Sequence, residues 1–252
     1  MDLGLKGKVA VVVGGSSNIG RACSKRLVEE GANVVIAYSS NDDKARAALA
    51  DLTALGGEGC AHAFKCDASR EAEVDALFRF TLEKFGTVDI LIYSAMLWPT
   101  NKVVDIPLDE WNRTMEVNLT GVFLTNRWVC NYWIENNKPG KILNFSSQAA
   151  FKGSTTYHAH YAAAKAGVVA FTVSLAKEVA KHNILVNSAA PGMTASPGFL
   201  TEEQAEYYKT RIPLGRIGTP EETADVITFL VSPRNSYMTG ACVDVSGGML
   251  CR

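Results

Sequence analysis

Tyr161 and Lys165 are two ionisable side chains four positions apart, separated by three alanines. Residues at that separation lie one turn apart on the same face of a helix. Free tyrosine has a pKa near ~10, and a lysine ammonium within about 4–6 Å favours the phenolate and lowers that pKa. A tyrosine tuned in this way suits protonation of an alkoxide, or deprotonation of an alcohol, near neutral pH. An interfacial tyrosine beside a solvated lysine has the same spacing, so the pair alone leaves both interpretations open.

Two further polar residues stand in apolar surroundings. Ser147 follows the apolar run of residues 141–145, which is typical of a buried strand. Its hydroxyl is able to donate a hydrogen bond to a substrate oxygen. Asn118 interrupts an otherwise apolar helical stretch, where asparagine either disfavours the helix or serves a purpose.

A glycine-rich turn, GGSSNIG at residues 14–20, joins the first predicted strand to the first predicted helix. A helix N-terminus presents unpaired N–H groups and the positive end of its dipole, so it suits a pyrophosphate. Asn18 stands where a dinucleotide-binding turn has its middle glycine, and asparagine tolerates a positive φ better than other non-glycine residues. An ordinary tight turn between a strand and a helix has a similar sequence. The glycine-rich turn alone therefore does not establish a dinucleotide site, and other motifs must support it.

The elements that must position these residues alternate along the chain. Strands are predicted at residues 9–13, 34–36, a run leading to Cys66, 89–93, 141–145, 184–189 and 241–245. Helices are predicted at residues 19–30, 42–55, 70–85, 108–136, 161–182 and 221–231. This order predicts the α/β class, with a single Rossmann-type doubly wound parallel sheet of about seven strands and helices on both faces. We find no repeat or linker, and therefore expect one domain over residues 1–252, with residues 193–213 as a substrate lid.

Asp67 ends the third predicted strand, on the edge where open α/β sheets bind ligands. It is able to contact a ligand there or to cap the next helix, although Ser69 is the better cap candidate. The sequence does not choose between these roles.

Composition narrows the function classes. The net charge is -1 without blocks of like charge, which argues against nucleic acid or an anionic membrane as partner. No signal peptide or long apolar run is visible, and the six cysteines are scattered. Cys60, His62 and Cys66 lack a second half with metal-type spacing, so no metal is expected. We expect a reduced, cytoplasmic protein without a membrane span.

Short motifs accompany these residues along the whole chain, namely 67–69 (DAS), 117–121 (VNLTG), 144–147 (NFSS), 161–167 (YAAAKAG), 191–192 (PG) and 243–248 (VDVSGG). Together they resemble the short-chain dehydrogenase/reductase family. The likeness is to the branch of this length that includes 3-oxoacyl-carrier-protein reductases and small polyol, sugar and steroid dehydrogenases. The resemblance implies an NAD(P)-dependent oxidoreductase that interconverts a ketone and a secondary alcohol by hydride transfer, and a homotetramer.

The resemblance also implies a role for each matching residue. Tyr161 would be the general acid/base, and Lys165 would lower its pKa and hold the nicotinamide ribose. Ser147 would polarise the substrate oxygen, and Asn118 would anchor a proton-relay water. The implied cofactor-binding residues are Gly14, Ser16, Ser17, Asn18, Ile19, Gly20, Tyr38, Ser39, Ser40, Asp67, Ala68, Tyr93, Ser94, Ala95, Tyr161, Lys165, Pro191, Gly192 and Thr194. The implied substrate-pocket residues are Met96, Trp98, Ala149, Phe151, Tyr157 and Met193.

Three departures from the family pattern concern the cofactor and the pocket. Val13 replaces a threonine and so removes a side-chain hydrogen bond beneath the glycine-rich turn, and Asn18 replaces the middle glycine. Residues 93–96 (YSAM) replace Asn-Asn-Ala-Gly, and Met96 adds bulk near the pocket mouth.

Cofactor preference depends on the end of the second strand. NAD-preferring members carry an aspartate there, whereas Tyr38, Ser39 and Ser40 are neutral in this chain. The arginine common in NADP enzymes is also missing. Because neutral hydroxyl groups are able to donate hydrogen bonds to a 2′-phosphate, we expect NADP(H) to be favoured over NAD(H).

The pocket residues favour an apolar or ring-shaped carbonyl compound. The other interpretation of Trp98 and Tyr157 is that they only pack beneath the lid. His158 and His160 are expected to be solvated, without a catalytic role.

Two alternative functions remain at this stage. A 3-oxoacyl-carrier-protein reductase would need a basic patch for the acidic carrier, and Lys209, Arg211 and Arg216 do not form a cluster in the sequence. A catalytically inactive NAD(P)-binding regulator would not need the complete set of Ser147, Tyr161 and Lys165.

Overall fold

The computed structural model describes residues 2–154, 156–195 and 201–251. The strands are β1 (Val9–Val13), β2 (Asn33–Tyr38), β3 (Ala61–Lys65), β4 (Ile90–Tyr93), β5 (Gly140–Phe145), β6 (Ile184–Pro191) and β7 (Cys242–Val245). The helices are α1 (Asn18–Glu29), α2 (Asp42–Gly56), α3 (Glu71–Phe85), α4 (Leu108–Met115), α5 (Gly121–Glu135), α6 (Ala149–Lys152), α7 (Ala159–Val179), α8 (Glu202–Lys209) and α9 (Pro220–Val231). Short 3-10 turns cover Val103–Asp105 and Ala180–His182, and Glu116–Thr120 is a π-helical segment.

The strands form one parallel sheet in the order β3-β2-β1-β4-β5-β6-β7. Val13 at the end of β1 is paired with Ala37 on one side and with Tyr93 on the other. The order of the strands reverses direction between β1 and β4, and ligands bind at such a point, beyond the carboxyl ends of the strands. The predicted doubly wound fold is confirmed.

Both faces of the sheet are buried, which explains the continuous apolar runs of the strands. Val11 and Val13 belong to a core cluster that includes Phe78 and Trp133. The residues that alternate with them along β1 belong to a second cluster, which the helices α1, α2 and α9 cover on the opposite face. This alternation holds the strand ends, and therefore the site, in a fixed frame.

The long helix predicted at residues 108–136 is present as α4, the π-helical segment and α5 in succession. Asn118 lies within the π-helical segment, and its Nδ2 donates to the Thr114 carbonyl oxygen at 3.0 Å. A side chain that occupies a carbonyl of the preceding turn competes with the backbone ladder. Asn118 therefore coincides with a local change from α-helix to π-helix. Such π-helical segments are frequent at functional sites.

The expected lid is only partly described, because residues 196–200 lie outside the described residues. After them, α8 begins at a capping box formed by Thr201 and Gln204. None of the helices within the described ranges is long and apolar enough to cross a membrane.

Candidate active site

A cavity of about 750 Å³ opens at the carboxyl edge of the sheet, where β1 and β4 separate. Every residue predicted to contact the cofactor lies in its wall. The glycine-rich turn forms one part of the wall, and the ends of β5 and β6 form another. The structure therefore brings the implied cofactor residues together around one space.

The glycine-rich turn keeps its shape despite the two departures there. Asn18 has a φ of +47°, in the left-handed region that asparagine was expected to tolerate. Ser94 Oγ donates to the Val13 carbonyl oxygen at 2.9 Å, which places a side-chain hydrogen bond beneath the turn although Val13 has no hydroxyl. A methyl group at Gly20 would overlap the Gly14 carbonyl oxygen and Ser94 Oγ, so only glycine allows this close approach.

Ser147, Tyr161 and Lys165 line the same cavity, and contacts join Tyr161 to both of the others. Burial raises the pKa of Tyr161 to about 12, while a hydrogen bond with Ser147 acts to lower it. Burial lowers the pKa of Lys165 to about 7. The Lys165 Nζ lies 5.7 Å from the centre of the Tyr161 ring and donates to the Phe145 carbonyl oxygen at 2.7 Å. Burial therefore outweighs the lowering of the Tyr161 pKa that was expected from the lysine.

The lowered Lys165 pKa predicts a pH-dependent stability. An unfolded Lys165 binds a proton up to a pKa near ~10.4, whereas the folded group loses it at about 7. The unfolded state therefore holds more protons above about pH 7, so this group makes the free energy of unfolding rise with pH in that window. Urea unfolding at pH 7, 8 and 9 is expected to show this rise in wild type and its loss in Lys165→Met.

Lys177→Met is the matched control, because Lys177 is exposed on the same helix. It is expected to keep the wild-type pH dependence. Parallel curves for wild type and Lys165→Met would contradict the lowered pKa.

Asn118 is completely buried and is not part of the cavity wall among the described residues. Its Nδ2 donates to the Leu97 carbonyl oxygen at 2.8 Å, and its Oδ1 accepts from the Leu97 N–H at 3.3 Å. The side chain thus fastens the segment after β4 to the π-helical segment. In this structure the predicted water-anchoring side chain is occupied by the backbone of Leu97.

Tyr93 lies where the family pattern has an asparagine, and its side chain is completely buried. The phenol donates to the Val117 carbonyl oxygen in the π-helical segment at 2.6 Å. Burial raises the pKa of this phenol far above its usual range, so it remains a neutral donor. Tyr93 therefore supports the same segment that carries Asn118.

Asp67, which lines the cavity, is bound by other groups of the protein. Arg113 Nη2 donates to Asp67 Oδ2 at 2.7 Å, and Ser69 Oγ donates to Asp67 Oδ1 at 2.7 Å. Burial acts to raise the pKa of Asp67, but the hydrogen bonds from Ser69 and Arg113 lower it below its usual value. Helix α3 begins after Arg70 without a side-chain cap, so neither candidate residue serves as its cap.

Four predicted pocket residues, Met96, Trp98, Ala149 and Met193, line the cavity. Phe151 and Tyr157 do not appear in the described wall, so the structure does not support placing them in the pocket. Tyr157 is 56% exposed, and its φ is +65°. The Tyr157 side chain is therefore largely directed to solvent.

His158 and His160 are buried, so the expectation that they are solvated was wrong. The His158 ring stacks on Trp98 with 3.9 Å between ring centres, and its Nδ1 lies 2.7 Å from the Pro99 carbonyl oxygen. The His160 Nε2 lies 3.2 Å from Glu110 Oε1. The His158 contacts connect the start of α7, which carries Tyr161, to the segment of Trp98, and the His160 contact connects it to α4.

The wall also contains residues that the sequence did not point to, among them Lys44, Arg113, Gln148, Lys152 and Met249. Tyr207, Tyr208 and Arg211 line it as well and fall within the predicted lid, residues 193–213. Among the unpredicted residues, the position of Lys44 was a usable signal, because it lies in the first turn of α2, directly after the segment 38–40 that was expected to bind the cofactor. The other residues reach the cavity through tertiary contacts that spacing does not reveal. In the described part of the chain, no cluster of three or more acidic, histidine or cysteine side chains is arranged to hold a metal.

A family model described as Enoyl-(Acyl carrier protein) reductase matches residues 13–250. A short-chain dehydrogenase from Bacillus anthracis superposes with a TM-score of 0.91 at 32% identity, over 98% of each chain. The chain belongs to the short-chain dehydrogenase/reductase family. This short-chain dehydrogenase/reductase is also similar to a 3-oxoacyl-[acyl-carrier-protein] reductase of Synechocystis sp., with 38% identity over 98% of each chain. It is 37% identical to 3beta-hydroxysteroid dehydrogenase 1 of Eggerthella lenta, over 97% of this chain and 94% of that one.

Family membership confirms the expected class of reaction. The short-chain dehydrogenase/reductase is an oxidoreductase that acts on CH–OH and C=O groups of a small-molecule substrate with a nicotinamide cofactor. The alternative of an inactive regulator is not supported.

Proposed function

We propose that the enzyme interconverts a ketone and a secondary alcohol, with Tyr161 as general acid/base and NADP(H) as its cofactor. One observation carries the proposal. Ser147, Tyr161 and Lys165 come together in the wall of the same cavity as the glycine-rich turn.

The residues present fit a nicotinamide dinucleotide. The turn before α1 offers backbone N–H groups to a pyrophosphate, and Pro191, Gly192 and Thr194 continue the wall towards Tyr161. Gln148 Oε1 is buried there without a hydrogen-bond partner in the described ranges, so it is available to a ligand donor. When bound, the cofactor supplies the hydride for reduction or accepts it in oxidation.

In the reducing direction, the Ser147 hydroxyl polarises the carbonyl oxygen and Tyr161 Oη donates a proton to it. Lys165, with a pKa of about 7, gains and loses protons near neutral pH. In its protonated form it stabilises the phenolate that Tyr161 becomes. Burial of the phenol and the amine excludes water, which strengthens both interactions.

A panel of aliphatic and cyclic ketones, followed by the absorbance of NADPH, tests the proposed reaction. We expect cofactor oxidation with at least one apolar ketone, and the reverse reaction with the matching alcohol. If purified enzyme that binds NADPH oxidised it with none of the panel, the proposed function would be contradicted.

Lys44 supports the proposed preference for NADP(H), because it is the cation that lines the adenine-ribose end beside residues 38–41. We predict that Lys44→Gln weakens NADPH binding by about fivefold, the order of a partly exposed charge pair, and leaves NADH binding unchanged. Quenching of Trp98 fluorescence, with Trp98→Phe as the blank, measures both affinities. Tighter binding of NADH than of NADPH by wild type would contradict the preference itself.

Residues 193–213 are proposed as the lid, of which α8 and Met193 contribute to the wall.

A homotetramer is proposed because large apolar side chains are exposed along α4 and α5, among them Leu108, Trp111 and Phe123. Sedimentation velocity tests this assembly. The six free cysteines fit the proposed cytoplasmic location.

Reduction of a carrier-bound 3-oxoacyl group is the second candidate, because relatives bear that name. Of the three basic residues considered for a carrier, Lys209 pairs with Glu206 and Arg216 pairs with Glu222. Only Arg211 lines the cavity. This distribution favours a small substrate over an acidic protein surface.

A further inference from the structure

Positively charged side chains outnumber negatively charged ones in the cavity wall. Among the described lining residues the cations are Lys44, Arg113, Lys152, Lys165 and Arg211, and the carboxylate is Asp67. The ion pair between Arg113 and Asp67 removes one charge of each sign. The remaining cations are therefore available to anionic ligands.

The cofactor accounts for the cations at one end only. Lys44 lies at the adenine-ribose end, and Lys165 lies beside Tyr161 at the reacting centre. Lys152 and Arg211 belong to α6 and to the segment after α8, which line the substrate end. No carboxylate in the described part of the chain lies within ion-pair distance of either of these two side chains.

Contacts within the protein hold both cations in place. Arg211 stacks over the Tyr207 ring with 4.3 Å from its guanidinium carbon to the ring centre. Lys152 Nζ donates to the Met249 carbonyl oxygen at 3.2 Å, which leaves its other donors free for a ligand. Tyr208, beside Arg211, is hydrogen-bonded to Thr156, so α8 is joined to the segment that follows α6.

The same wall also carries apolar and aromatic side chains, among them Met96, Trp98, Met193, Tyr207 and Tyr208. A guanidinium presents a planar fork that matches a carboxylate, and an ammonium adds a second positive charge.

We propose that the substrate is a carbonyl compound with an apolar body and an anionic group, such as a carboxylate, at the end remote from the reacting carbonyl. Arg211 is the residue that determines this specificity, and Lys152 assists it. The inference rests on the proposed function, because it concerns the substrate of the same site.

Matched pairs of oxo acids and their methyl esters test the proposal. They share the reacting carbonyl and differ only in the remote charge. Wild type is expected to reduce the acid with a kcat/KM about tenfold above that of the ester, the order of one charge-assisted contact. Arg211→Gln is expected to remove most of this difference, chiefly by raising KM for the acid by a larger factor than KM for the ester. Raising the salt concentration is expected to reduce the advantage of the acid in wild type.

Lys209→Gln is the matched control, since it removes a cation from the same segment that pairs with Glu206 outside the described wall. It is expected to preserve the wild-type preference. Equal use of acid and ester by wild type, or an unchanged preference in both Arg211→Gln and Lys152→Gln, would overturn the inference and leave the proposed function intact. Faster reduction of a neutral 3-oxoacyl thioester than of the acid would also overturn it. If no carbonyl compound were reduced, the proposed function would fail, and this inference with it.

Discussion

Tyr161→Phe is expected to lower kcat by about a thousandfold, within the range that a positioned acid or base contributes. The phenylalanine keeps the ring that packs in the cavity wall and removes only the hydroxyl. Because the phenylalanine fills the same space, in which the tyrosine is only 7% exposed, the fold is expected to remain close to wild type. Steady-state kinetics on the best ketone, together with an NADPH titration, separate the chemical step from binding.

Tyr157→Phe makes the same chemical change four residues earlier, on a side chain outside the described cavity wall. It is expected to retain the wild-type rate. A Tyr161→Phe enzyme with more than about a tenth of the wild-type rate would exclude Tyr161 as the general acid.

Gly20→Ala is expected to weaken NADPH binding by at least about tenfold, because it must displace the turn that faces the pyrophosphate. The new methyl group would overlap the Gly14 carbonyl oxygen and Ser94 Oγ, neither of which belongs to a long flexible side chain. Relief of this overlap requires backbone movement and is expected to destabilise the fold by about 1–3 kcal/mol. Fluorescence titration and urea unfolding measure the two effects.

Gly218→Ala is the corresponding control, because the nearest atoms to its added methyl group lie 3.7 Å away. Its effect on the free energy of unfolding is expected to stay within about 0.5 kcal/mol. A Gly20→Ala protein that bound NADPH as tightly as wild type would contradict the close-approach argument.

The sequence predicted the frame of the site because the frame depends on local patterns. Apolar runs and helical periodicity predict the alternation of strands and helices, and a spacing of four residues places Tyr161 beside Lys165. The left-handed conformation of Asn18 followed from the preference of that residue type.

Contacts between segments that are distant in the chain could not be predicted from the sequence. Arg113 meets Asp67 across 46 positions, and Asn118 meets Leu97 across 21. Such pairs depend on how two elements dock, which no periodicity encodes. His158 and His160 illustrate the same limit. The sequence does not show which distant segment covers a polar residue near the start of a helix.

The different surroundings of Lys209 and Arg211 could also not be predicted from the sequence. They are two residues apart and carry the same charge, yet one turns to Glu206 on its own helix and the other turns to the cavity. A count of basic residues treats them alike, whereas their neighbours assign them different functions.

The phenol of Tyr93 has a consequence for how this chain is able to evolve. Its hydroxyl occupies the space that a side chain at Gly121 would need. An alanine at position 121 therefore becomes acceptable only after position 93 has lost its hydroxyl, whereas the loss of the hydroxyl does not depend on position 121. Substitutions at these two sites have a required order, and a lineage that acquired the tyrosine became committed to the glycine.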